Sequence, residues 1–484
     1  MMNRLPRSGL RSARSVEALS FAIFTPHSFG SAARLLSASH HEGVFPAMVT
    51  KPRATAARRK PNRTGPGLRI FRHAMATSLV AAALCTLSGC EKPPTFDELI
   101  HGKKKDATPP APVAKQAAET PKAAPQAAPQ TPEPPKKTAQ EVLAQFNSTQ
   151  TYRRTNEQLA ELASLPEARD QITVLELQGS TINDAGLAVL PKFDKVEKLN
   201  IGTLNYSNQA LANVAKMKNV TTLVMSKGAQ KDKNTDAGMA HISQMKQLVE
   251  LYVDQAKFST AGIAEIAKMT QLEKLSVGMI SQFTDEHLEM LAPLVNLKYL
   301  DLTGSYVTDN GLKYLLPFTE LEDLRMAKMQ AVRGAGLDDL VTKRHGLRKL
   351  TNLTMYDNPY LNIQAYVGIS NIKTLVVLDV GAANCTNAAF EAMPHLRNLE
   401  VLSVHDNESL SDDGMISYFS KLKKLKSIYF GNNKLISDAS IPAFAKVKTL
   451  ERITLLQTAV TPTGAQKLKS KLKNCKVNYN GTML

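Results

Sequence analysis

The chain has no tryptophan, four cysteines and 6% aromatic residues among 484. It contains no CxxC and no His/Cys spacing suited to a metal, so no metal site is expected. HExxH, GxSxG and a Gly-rich phosphate loop are also missing. Metalloprotease, serine-hydrolase and nucleotide chemistry therefore lack their residues. The nearest approach, Arg333-Gly334-Ala335-Gly336, lacks the strand–helix context such a loop needs and reads as a helix-entry turn. His40-His41-Glu42 falls in a doubtful leader, and His287 and His395 read as packed or solvated histidines. Asp412-Asp413 reads as acid at a helix start, not as a carboxylate dyad. No catalytic residue, cofactor or small-molecule substrate is expected.

Acid is scarce at one end only. The net charge is +17, but residues 1–90 hold 13 Lys+Arg against Glu17 and Glu42. The remainder has 47 basic and 41 acidic residues. A polyanion partner loses most of its support on that distribution, and no nucleic acid is expected. The lysine runs at 421–426 and 467–476 are expected on exposed helix faces.

No apolar run has the length of a mature membrane span. Ala76 to Leu87 (ATSLVAAALCTL) is 12 residues, right for a signal core and too short to cross a bilayer. Arg69, Arg72 and His73 precede it, and Leu87-Ser88-Gly89-Cys90 ends it. That tetrapeptide resembles the lipobox of bacterial lipoproteins. The resemblance implies that Cys90 carries a diacylglyceryl group and becomes the first mature residue. It also implies a cell-envelope address, periplasmic or surface-facing. Glu91 stands where an Asp would imply inner-membrane retention, which points toward the outer membrane. Met48 reads as a better start than Met1, because it keeps the basic run Arg58-Arg59-Lys60.

From 91 to 140 the chain is rich in Pro, Ala and Lys, with eleven prolines. Few large apolar residues are present to offset chain entropy, so an extended tether is expected there. The expected organisation is a basic leader at 1–74, a lipoprotein signal at 75–90, the linker at 91–140, an N-terminal capping helix region at 141–170, and a repeat domain at 171–484.

The repeat is the richest signal. ITVLELQGSTINDAGL (Ile172–Leu187) recurs as LKYLDLTGSYVTDNGL (Leu297–Leu312) and LEVLSVHDNESLSDDGM (Leu399–Met415). Apolar pairs begin at Leu175, Leu199, Leu223, Leu251, Leu275, Leu300, Leu324, Leu353, Leu378, Leu402, Ile428 and Ile453. Each is expected in a short strand, with its two apolar side chains on one face. A turn with Gly or Asn follows (Gly179, Gly304, Asn407, Asn432), then a buried residue, then a helix cap. The cap slot holds Asn183, Ser207, Thr235, Ser259, Thr284, Thr308, Asn362, Thr386, Ser411, Ser437 and Thr461, with Arg333 the exception. Asp often comes next, as at Asp184 and Asp285, where the helix dipole favours it. Thr155 should cap one further helix that seals the N-terminal end. Units three, seven and eight depart from the pattern, the third through an insertion at Lys227–Asn234.

This pattern resembles the leucine-rich repeat family, in its helix-containing subtype of 24–26 residues. The resemblance implies an α/β solenoid of the right-handed horseshoe class: about twelve repeats plus a C-terminal cap, a parallel sheet on the concave face and helices on the convex face. Stacked units form one core. Cys385 fills a slot that other units give to Ile or Val, so a buried thiol is expected. Cys475 lies about four repeats away, roughly 19 Å at strand spacing, too far for a disulfide.

The residue between each apolar pair must point to the concave side. With flanking strand positions, the candidate partner-binding residues are Tyr252, Tyr299, Asp301, Asp323, Arg325, Tyr356, Asp379, His405 and Tyr429. Tyr299, Asp301, Asp323, Arg325 and Tyr356 are expected together on neighbouring strands. Tyr and Arg are favoured at binding hot spots, although cross-strand ion pairs of Arg325 with Asp301 and Asp323 would also explain the pattern. The expected function is a non-enzymatic, envelope-anchored lipoprotein that binds another protein or peptide. The alternatives are an envelope scaffold without a discrete ligand, a substrate receptor like the F-box leucine-rich repeat proteins, and catalysis in the uncapped seventh unit. No F-box-like helical domain precedes the repeats.

Overall fold

A computed structural model describes residues 137–226, 236–343 and 346–484. The expected leader, signal cysteine Cys90, almost all of the linker, the insertion and Thr235 lie outside the described residues.

Each apolar pair forms the core side of a strand of two to four residues. The strands are β1 (Val174–Glu176), β2 (Lys198–Asn200), β3 (Thr222–Val224), β4 (Glu250–Tyr252), β5 (Lys274–Ser276), β6 (Tyr299–Asp301), β7 (Asp323–Arg325), β8 (Asn352–Thr354), β9 (Val377–Asp379), β10 (Val401–Ser403), β11 (Ser427–Tyr429), β12 (Arg452–Leu455), β13 (Lys476–Tyr479) and β14 (Thr482–Met483). They pair in chain order in one sheet. All ladders are parallel except β13–β14. The central residues stay in register, so Leu175 faces Leu199 and the aliphatic ladder runs unbroken to Val477. Helical segments join the strands, and their buried faces close one continuous core. This is an α/β leucine-rich repeat solenoid of the horseshoe class.

The N-terminal helix α1 (Ala139–Ser148) starts just inside the expected linker, because Thr138 and Glu141 form a capping box. It packs with α2 (Asn156–Ser164) and α3 (Pro166–Arg169). Thr155 caps α2 as expected. The Arg154 guanidinium lies 4.2 Å from the Phe146 ring and donates to Glu176 O at 2.5 Å. It thereby covers part of the outer edge of β1.

The turns differ in one respect from the sequence reading. The fourth residue after the strand centre takes a left-handed φ in the units where it is described, as at Gly179 (+73°), Gly304 (+70°), Asp357 (+57°), Asp406 (+57°) and Asn432 (+64°). Asn407 is not such a residue. It is buried, accepts from Ala383 N at 3.2 Å and Cys385 N at 2.8 Å, and donates to Val380 O at 3.0 Å. Asn358 and Asn433 bind backbone in the same way. These amides satisfy turn groups that would otherwise be buried without partners.

The lysine run at 421–426 also departs from expectation. Lys421 ends a 3-10 turn, and the remainder leads into β11 off any helix. Lys424 donates to Asn398 and Lys426 pairs with Glu400. In the second run, Lys467, Lys469 and Lys471 lie on the helix Pro462–Lys471. Cys385 is a buried thiol, as expected; Cys475 is also buried, neither is in a disulfide, and burial pushes them up to about 12 and about 11.

Candidate binding face of the sheet

Short strands fix the face. Because side chains alternate, the residue between two core residues must stand on the opposite side of the sheet. The in-phase register then sets these residues in rows across the units.

On β4 to β7 this arrangement builds one continuous cluster. The Tyr252 and Tyr299 rings lie 6.2 Å apart with their planes tilted by 52°. The Arg325 guanidinium sits 5.0 Å from the Tyr299 ring centre, a cation–π distance. Its Nε is 3.6 Å from Asp323 Oδ1. Arg325 and Asp323 share strand β7, so this ion pair is not cross-strand. Asp301 faces Arg325 in register. Asp301 Oδ1 accepts from Thr303 N at 2.8 Å, and Tyr299 Oη donates to Asp301 Oδ2 at 3.4 Å. Beside the cluster, Lys274 pairs with Glu250 at 2.7 Å, and Tyr252 Oη donates to Glu250 at 3.4 Å. Asp254 accepts from Gly278 N and from the hydroxyls of Ser226 and Ser276.

The electrostatics follow from partial burial. Desolvation raises the Asp301 carboxyl; Thr303 and Arg325 oppose the shift. Asp323 is raised by the same cause, with Arg325 again opposing. Burial alone would lower Arg325, but Tyr299, Asp323 and Asp301 outweigh it and hold the guanidinium charged. Burial, then the charge of Glu250, pushes Tyr252 up to about 12. Tyr299 is raised as well, by burial and then by Asp301.

Tyr356 does not join this cluster. It stands beyond the end of β8, and its ring meets that of His405, 5.4 Å away. His405 Nδ1 lies 2.6 Å from Asp406 Oδ2. Between the two rings the chain carries Gly381, where a Cβ would strike the His405 ring. Asp379 is buried at 8% exposure and accepts from Gly381 N at 3.0 Å. Tyr429 is half-buried on β11. The candidates thus form two groups, Tyr252 to Arg325 and Tyr356 to Tyr429.

The sequence reading missed a second construction at the helix starts. Where an Asp follows the cap, it reaches the next unit. Asp285 accepts from Thr308 N and Thr308 Oγ1, both at 2.7 Å. Asp184 binds Ser207, Asp236 binds Ser259, and Asp438 binds Thr461 in the same way. At the seventh unit the Asp309 carboxylate receives Arg333 N at 3.1 Å and Gly334 N at 2.8 Å. That contact replaces the missing cap, and Gly334 takes a φ of +116° there. The ladder connects structural units and leaves no reactive arrangement around Arg333. Among the described residues, no group of His, Cys, Asp or Glu is placed to hold a metal ion, and no helix is long and apolar enough to cross a membrane.

Residues 294–316, which include β6, match the family model described as Leucine Rich repeat. A putative RNA-binding protein of Caenorhabditis elegans, EEED8.10, is 24% identical over 165 residues. That match covers 34% of this chain and 22% of the relative, so the chain spans about a fifth of the curated relative's length. Among solved structures, an internalin from Listeria monocytogenes is similar at 18% identity and TM-score 0.44, covering 70% of this chain and 93% of that one. A chain of the yeast complex of Rad7 and Elc1 is similar at 14% identity and TM-score 0.41, covering 67% of this chain and 88% of that one.

Proposed function

We propose that the chain is a binding protein whose sheet face, centred on β4 to β7, engages another protein or peptide. The observation that carries this reading is the held stack of Tyr252, Tyr299 and Arg325. Its members are half-buried and fixed by Glu250, Asp301 and Asp323. Tyr and Arg anchors are concentrated at binding hot spots. Anchors that are already positioned lose little conformational freedom on binding. Glu250, Asp254, Glu273, Asp301, Glu322, Asp323 and Asp379 outnumber Lys274, Lys298 and Arg325 on strands β4 to β9 and their immediate ends. That balance favours a polypeptide over a polyanion. The lipobox resemblance adds a lipid on Cys90 and an envelope location.

The test is photocrosslinking in intact cells, from a probe placed at Lys274 and, as a control, at Lys216 on the helix side. One protein should crosslink to position 274 and not to 216. Its yield should drop at least tenfold when Tyr252, Tyr299 and Arg325 are all changed to Ala. Equal crosslinking from both positions, or an unchanged yield in the triple variant, would sink the reading. In the same cells, labelled lipid should be incorporated by the native chain and not by Cys90→Ala.

A further inference from the structure

Few buried side-chain polar atoms lack a hydrogen-bond partner among the described residues. Two of them, Asp323 Oδ1 and Ser403 Oγ, lie on the sheet face. Asp323 has Arg325 nearby. The Ser403 hydroxyl makes no hydrogen bond, and the residue is only 3% exposed. A buried hydroxyl without a partner costs stability, and such a group in a native fold calls for an explanation.

Its surroundings supply one. Ser403 is the central face residue of β10. Register places Asp379 beside it on β9 and Tyr429 beside it on β11. Two residues along, His405 carries the ring that meets Tyr356 over Gly381. Asp357 and Asp406 follow these two rings directly, both in left-handed turns. Register and ring contacts thus gather the Ser403 hydroxyl, the Tyr356, His405 and Tyr429 rings and three carboxylates, Asp357, Asp379 and Asp406, on one part of the face. The nearby bases are His405, engaged by Asp406, and Lys328, whose amide donates to Tyr356 O at 2.9 Å. The Tyr356 phenol senses the negative field: burial raises it, and Asp357, Asp406 and Asp379 add to the shift.

We propose that the sheet face from β8 to β11 accepts one cationic side chain of the bound protein, a lysine ammonium or an arginine guanidinium. The cation would donate to Ser403 Oγ and lie against the Tyr356 and Tyr429 rings, where cation–π attraction adds to the charge of the carboxylates. Tyr356, His405 and Tyr429 are half-buried side chains of the face itself. Binding would require the side chains over Ser403 to move aside, because its hydroxyl is buried in the unbound chain. This subsite rests on the sheet-face reading and specifies its partner: a protein that presents a basic residue about one subsite away from its contact with Tyr299 and Arg325.

The experiment titrates the full chain, with 13C-labelled tyrosine rings, with n-butylguanidinium and n-butylammonium. Neutral 1-butanol and anionic butyrate serve as controls, and Tyr356→Phe and Tyr429→Phe assign the signals. The cations should shift the Tyr356 and Tyr429 rings, and the controls should not. Ser403→Ala and Asp379→Asn should each weaken the cation response at least fivefold. Ser403→Ala should also leave the unfolding temperature unchanged or higher, because it removes a polar group that has no partner. A response to butanol equal to that of the cations would overturn the proposal. So would native-like cation binding by Ser403→Ala, or a drop in its unfolding temperature. If the cations ignore Tyr356 while crosslinking still depends on Tyr252, Tyr299 and Arg325, the subsite falls and the binding face stands. If the cations bind but crosslinking ignores those three residues, the wider face reading falls instead.

Discussion

Asp301 and Asp323 are carboxylates held at a cost. Burial raises both above the ordinary aspartate value, and Arg325 cancels only part of that rise. The sign of the linkage follows. The folded carboxyl binds its proton more tightly than the unfolded one, so stability falls as pH rises from the ordinary carboxylate range through the raised folded value. Above that window the full penalty applies; below it, where both states are protonated, the penalty is absent. Asp301→Asn keeps an oxygen for the Thr303 amide, a bond of 2.8 Å in the native chain, and removes the charge. Thermal unfolding should therefore show Asp301→Asn gaining on the native chain between pH 4 and pH 7. A constant difference across that range would contradict this account of the site. At this scale the sequence revealed which residues share the face, because strand alternation determines that alone. It did not reveal that Tyr356 would leave Arg325 for His405. That depends on Gly381 leaving the intervening strand bare, which is a property of three neighbouring units taken together.

At the scale of the element, the cap rule was legible and the reason for the following Asp was only half legible. A helix dipole accounts for an acid at the first position. It does not account for the glycine that often stands two residues after the Asp. The structure does: the Asp or Asn of one unit occupies the space where the next unit's third helical residue would carry a Cβ. A Cβ at Gly414 would come within 2.6 Å of Asn387 Oδ1, and one at Gly262 within 2.5 Å of Asp236 Oδ1. Where the fourth unit has Thr260 instead of Asp, the fifth can carry His287, whose Nε2 lies 3.1 Å from Thr260 Oγ1. Within one repeat these residues look like separate preferences, since their contact runs between repeats. Gly464 offers the cleanest test, because the three atoms nearest its missing Cβ all belong to Asp438. Gly464→Ala should destabilise the native chain. In an Asp438→Ala background the obstacle is gone, and the same change should stabilise by about 1 kcal/mol, the ordinary helix preference of Ala over Gly. Denaturant unfolding of the four proteins gives the coupling. Additivity would show that Asp438 and Gly464 do not compete for the same space. Asp438→Ala alone should cost about 1 kcal/mol, since water can take the place of the carboxylate at the exposed Thr461 N and hydroxyl.

At the scale of the molecule, the architecture was legible because it is periodic. One slot filled with Leu, Ile or Val in every unit is enough to specify a parallel ladder from Leu175 to Val477. What the period hides is where the backbone polar groups of the turns go. In sequence Asn407 reads as a turn residue and Asn433 carries no signal, yet both are buried hubs of backbone bonding. In a solenoid each unit touches only its neighbours, so damage should spread over one or two units and then fade. Asn407→Ala tests this. It strips the acceptor from Ala383 N and Cys385 N and the donor from Val380 O. Several buried groups lose their partners together, and the cost should be about 3 kcal/mol or more. Cys385 lies inside the affected turn, and Cys475 lies near the far end of the array; both thiols are buried and pushed up in pKa, so each reacts only when its own unit opens. Labelling of the full chain with an alkylating reagent, read at each cysteine by mass spectrometry, separates the two. Asn407→Ala should raise the rate at Cys385 at least tenfold and change that at Cys475 by less than twofold. Equal acceleration at both would mean that the array opens as one cooperative body, and the nearest-neighbour description of this chain would fail.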